Sequence, residues 1–130
     1  MSKPKGVISP EEAKQLNDAF TPRCELISKD IVKRPDNRSS WWSLDDIRNY
    51  LDYAEKQAKE LGYVMNGIRV YCGAYPTVNG EVGYSTSFIA PTAEMVDGKD
   101  SGGGSGDIPG GDPLNAGDPG EPPSGGYPQQ

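Results

Sequence analysis

Apolar residues recur at helical spacing near the start of the chain, at helical spacing again in its middle, and at every second position after that. Ala13, Leu16 and Phe20 follow Ser9-Pro10-Glu11-Glu12. There Ser9 can cap the amide of Glu12, Glu12 can reach back to Ser9, and Pro10 stands where its missing N–H costs nothing. These predict a helix over about residues 10 to 20. Thr21-Pro22 repeats the cap-and-proline signal, and Cys24, Ile27 and Ile31 follow at steps of three and four. A second helix is expected there, separate or continuous through a kink, and ended by Pro35.

The middle run is the most regular. Ser43 can cap a helix whose first turn carries Asp45 and Asp46, where the helix dipole favours negative charge. Leu44, Ile47, Tyr50, Leu51, Ala54, Ala58 and Leu61 then form one stripe, and Gly62 suits a left-handed end. Tyr53, Gln57 and Glu60 lie on the far side. Beyond Asn66-Gly67 the period becomes two: Ile68, Val70, Cys72 and Ala74 point one way, and Arg69, Tyr71, Gly73 and Tyr75 the other. Pro76 stops this strand, Asn79-Gly80 supplies a hairpin turn, and a return strand runs from Tyr84 to Ala90, ended by Pro91-Thr92. Trp41-Trp42 favours a brief extended segment. As a strand it would complete a right-handed parallel βαβ unit with Ile68–Tyr75. The expected fold class is α+β: N-terminal helices plus a βαββ-like unit, with a small two- or three-stranded mixed sheet carrying helices on one face.

Composition divides the chain of 130 residues. Residues 97–130 are dominated by Gly and Pro, with Ile108 and Leu114 the only aliphatic side chains larger than Ala. Such a segment buries little apolar surface against a backbone entropy of roughly 1 to 2 kcal/mol per residue, so an acidic disordered tail is expected. That leaves residues 1–8 as a flexible start and 9–96 as one domain. Asp97, Asp100, Asp107, Asp112, Asp118 and Glu121 face Lys99 alone, so the tail accounts for nearly all of the net charge of −6. Neither part has the basic stripe a nucleic-acid binder needs. No apolar run reaches the roughly 20 residues of a membrane span, and MSKPKGV lacks a signal peptide's apolar core; the expectation is a cytoplasmic protein without membrane insertion.

Candidate chemistry is sparse. The absence of histidine excludes Ser-His-Asp, Cys-His and His-ligated zinc sites within the chain. Cys24 and Cys72 form no metal or redox spacing and read as buried thiols. Asp45-Asp46 diverge by about 100° on a helix, which fits a charged first turn better than a metal pair. Arg69 with Ser85-Thr86-Ser87 is similar to the Arg and Ser-Thr-Ser strand that line NAD in mono-ADP-ribosyltransferases. The downstream transferase glutamate of that arrangement has no counterpart after Glu94. Trp41, Trp42, Arg69, Tyr71 and Tyr75 are the stronger set, since aromatics on an open sheet face suit a protein partner.

The stretches Arg38-Ser39-Ser40-Trp41-Trp42-Ser43-Leu44-Asp45-Asp46, Gly67-Ile68-Arg69-Val70-Tyr71-Cys72-Gly73-Ala74-Tyr75-Pro76 and Phe88-Ile89-Ala90-Pro91-Thr92 resemble a group of short Bacteroidota-type proteins. The resemblance implies a bacterial source and supports the element boundaries; it implies no activity. From the sequence, then, the expected protein is a non-catalytic binding or adaptor module, without cofactor or metal, that uses its exposed aromatic sheet face on a protein partner or on itself. The other readings are an NAD-binding remnant at Arg69 and Ser85-Thr86-Ser87, or a tethered component of a larger assembly.

Overall fold

Ser9 and Glu12 exchange backbone-to-side-chain bonds of 3.0 Å and start the first helix, α1, Pro10–Leu26. In this computed structural model, which describes residues 2–95, 104–120 and 123–129, α1 runs unbroken through Thr21-Pro22 and continues as a π-helical turn, Ile27–Val32. Thr21 Oγ1 donates to the carbonyl of Asn17, an oxygen within the turn that precedes Pro22. No residue of α1 is buried.

Ser43 caps α2, Leu44–Glu60, by accepting the amide of Asp46 at 2.9 Å, and Gly62 leaves it with φ of 88°. Of the expected stripe, Tyr50, Ala54 and Ala58 are buried, with Ala54 and Ala58 1% exposed. Two small side chains in its centre let the helix axis approach the sheet closely.

The sheet has three strands, β1 Met65–Ala74, β2 Ser85–Glu94 and β3 Ser105–Asp107, in the order β1-β2-β3 and all antiparallel. Asn79 and Gly80, both at positive φ, form the turn of the hairpin, closed by mutual bonds between Val78 and Glu81. The α+β class holds. The parallel crossover does not form, because Trp41 pairs with Asp118 in an isolated antiparallel bridge and reaches no strand of the sheet. The sheet is therefore antiparallel, where a mixed one was expected.

β2 continues through Pro91-Thr92, where the sequence had suggested an end. Pro91 is tolerated because its missing N–H faces the C-terminal segment, and that segment bows away there. Ile108 N donates to Pro91 O, Leu114 exchanges both bonds with Ile89, and the residues between them leave the ladder. Residues 104–120 are thus part of the fold, which corrects the expected disordered tail; residues 96–103 lie outside the described set. Ile108, 4% exposed, forms one core cluster with Ala58 and Ala93, while Leu114 packs on a second made of Tyr50, Ala54 and Ile89.

Candidate binding surface

Register assigns the two sheet faces. Val70 lies opposite Ile89 and Ile68 opposite Pro91, while Tyr71 lies opposite Phe88 and Arg69 opposite Ala90. Ile89 and Ala93 touch α2, so beyond the bulge between Met65 and Gly67 the even residues of β1 share the helix-covered face and its odd residues occupy the reverse, while Met65 itself packs on the helix side.

The odd residues are held by the C-terminal segment. Tyr71 stacks on Phe88 with ring centroids 5.1 Å apart, and its hydroxyl donates to Asp107 Oδ2. That bond, and then burial, raise the Tyr71 pKa. Arg69 contacts the same carboxylate at 3.3 Å and donates to the Ser105 carbonyl. Tyr75 donates to Asn115 Oδ1, and Asn115 in turn bonds Thr86 and the Ser87 carbonyl. Beneath these side chains Ala90 and Thr92 are buried. Trp42 donates from its indole to the carbonyl of Asn115 and packs on the core; a side chain on Gly117 would meet its ring at 2.8 Å. Trp41 is exposed. Of the expected aromatic face of Arg69, Tyr71, Tyr75, Trp41 and Trp42, all but Trp41 are tied by side-chain bonds to residues 104–120, while Arg69, Tyr75 at 45% and Trp41 at 61% are exposed.

The even residues behave oppositely. Ile68 is 46% and Val70 60% exposed, and Cys72 is exposed as well, against the expectation that this row is core and that both thiols are buried. α2 sits over β2 and the C-terminal segment, so it misses most of β1. Backbone direction adds a second property. Tyr75 N donates to Tyr84 O, so odd residues of β1 face β2 in the ladder and the N–H and C=O groups of Ile68, Val70, Cys72 and Ala74 face outward. β1 has no neighbour on that edge among the described residues.

At its Cys72–Ala74 end the even face meets α1 across a cavity of about 430 Å³ lined by Phe20, Cys24, Ile27, Asp36, Cys72 and Ser87, among others. Asp36, buried, accepts from Ser85 N at 2.8 Å and from the Ser85 hydroxyl. Ser85 and Ser87 thus line one face, and Arg69 reaches across the other, so the residues of the NAD-type reading do not converge. Among the described residues no group of three or more His, Cys, Asp or Glu side chains is placed to hold a metal, and no helix is long and apolar enough to cross a membrane.

Sequence reasoning missed Asp36, Asp107, Asp112 and Asn115. Asp112 anchors the C-terminal segment to α2: Tyr53 donates to its carboxylate at 2.5 Å, Gln57 at 2.9 Å, and Asp112 N returns a bond to Gln57. The Tyr53 bond, then Gln57, lower the Asp112 pKa, and the same bond is the first cause raising that of Tyr53. Asp112 therefore contributes above the ordinary Asp range near 4, a contribution lost as pH falls through its lowered value. Tyr53 contributes below about 10, lost as pH rises through its raised value. Tyr53→Phe is expected to move the Asp112 midpoint upward in a carboxylate NMR titration; an unmoved midpoint would show that the bond is not kept in solution.

Comparison of the chain with protein-family models, with curated proteins and with solved structures gives no match.

Proposed function

We propose that this protein is a non-catalytic protein-binding module that takes its partner by strand addition along β1. One observation carries the reading: a ten-residue edge strand offers outward backbone groups at four alternate residues, beside the uncovered side chains of Ile68 and Val70. Natural edge strands are usually blunted by Lys, Pro, a bulge or brevity; β1 is ten residues long without Lys or Pro, and its bulge lies at Met65–Gly67, before the stretch from Ile68 to Ala74. In strand addition the main chain supplies affinity and alternate side chains supply selectivity. Arg69, Tyr71 and Tyr75 then act from behind, fastening the strand in register through Asp107 and Asn115.

This reading moves the contact from the odd row of β1 to its even row and edge, and the two separate by mutation. With the full chain as bait, Val70→Lys is expected to reduce recovery of a specific partner at least about tenfold while the thermal melt stays within a few degrees. Capture at wild-type level by folded Val70→Lys would end the proposal.

A further inference from the structure

We infer that the partner taken by the β1 edge is a second copy of this chain, paired antiparallel about a two-fold axis through Tyr71. The inference rests on the strand-addition reading and names its occupant. Such an axis sets Ile68 opposite Ala74 and Val70 opposite Cys72 of the second copy, so all four outward-facing residues pair and none is left over. Moving the axis to Val70 would instead set Ala74 against Asn66. Asn66 lies in the bulge between Met65 and Gly67, with its side chain bound to Thr92 and Ser105.

Charge does not oppose self-pairing in this register. The four outward residues carry none, so the contact sets no like charges together between two chains of net charge −6. Arg69, the one charged residue of β1, lies on the reverse face against Asp107 and falls opposite Gly73 of the second copy, so no like charges face each other.

Exposed apolar side chains flank the edge on both sides of the axis. α1 lies at the Cys72–Ala74 end of β1, on the even face, with Leu16 and Phe20 exposed. The two-fold axis carries the second copy's α1 toward Val64 and Ile68, which are uncovered in a single chain.

Sedimentation velocity of the full chain over about 5 to 200 µM tests the inference. The expected result is a species of twice the 14.0 kDa chain mass, with amide exchange at Ile68, Val70 and Cys72 slowing as that species forms. Val70→Lys and Ile68→Glu should each raise the dimer dissociation constant at least about 100-fold, with unchanged circular dichroism. A single monomeric species across the range, or a dimer that persists in both folded variants, would overturn it. A monomeric wild type whose captured partner still disappears with Val70→Lys removes the second copy and keeps strand addition; capture insensitive to Val70→Lys removes strand addition itself.

Discussion

Ending the chain after Met95 is expected to abolish cooperative folding. The removed residues include Ile108, one of three buried members of a core cluster, and Leu114, which packs on the other. Removing a buried aliphatic side chain costs about 2 to 5 kcal/mol, and the half-buried Leu114 adds to that. β2 would also lose β3 and its bonds to Ile108 and Leu114, becoming a second bare edge. Tyr50 would lose its 2.7 Å bond to the Asp112 carbonyl, and Tyr71 and Arg69 their shared carboxylate. The sum rivals the total stability of an ordinary domain, about 5 to 15 kcal/mol. Circular dichroism and a thermal melt of the truncated chain should show helix loss and no sigmoidal transition at 25 °C. Ile108→Ala in the full chain should melt cooperatively but be destabilised by about 2 to 4 kcal/mol. A truncated protein melting within a few degrees of the full chain would show that residues 104–129 are a surface strap and that the core closes without them.

Local chemistry explains why some elements were legible in the sequence. The Ser9 and Ser43 caps, Gly62 and Asn79-Gly80 each act through bonds or dihedral angles set within a few residues, so sequence spacing specifies them. The C-terminal segment is different. Two aliphatic residues among glycines and prolines give it no period, and its order comes from β2's open edge and from α2, both distant in sequence. Ile108 and Leu114 were the available signal: isolated apolar residues in a polar segment, each filling one core cluster. Pro91 misled for a related reason, since the strand passes through it only because its neighbour on that side bows away.

Alternation in β1 specifies two rows, but alternation says nothing about which row is covered. That depends on how far α2 is offset across the sheet. Ala54 and Ala58 seat the helix over β2, and the loop around Asp112 draws it toward the C-terminal segment through Tyr53 and Gln57. The even row of β1 is left bare as a result. The proposed contact edge thus follows from the same segment whose composition suggests a solvated tail.

Asp36→Ala should cost about 3 kcal/mol, the largest effect expected of a single side chain outside the apolar core. The carboxylate is 5% exposed and takes two bonds from one residue, the Ser85 amide at 2.8 Å and the Ser85 hydroxyl. Bonds to a charged group contribute roughly 1.5 to 3 kcal/mol each, and truncating the acceptor leaves both donors half-buried without it. The position also joins two parts of the fold: Asp36 N donates to Ser28 in the π-helical turn, Asn37 donates to the Ser85 carbonyl, and Arg34 reaches the Val82 carbonyl while lying 4.3 Å over the Tyr84 ring. Since α1 has no fully buried residue, these bonds are among the main ties between the N-terminal helix and the sheet. At about 3 kcal/mol the melting temperature should fall by about 10 °C. Asp36→Asn, which keeps one acceptor, should fall less, and Ser85→Ala less again. In the double variant Asp36→Ala with Ser85→Ala, the two losses should sum to more than the measured change, because both remove the bond of the Ser85 hydroxyl. A loss under 1 kcal/mol in Asp36→Ala, or strict additivity in the cycle, would mean that water replaces the carboxylate and that α1 is held to the sheet by other contacts.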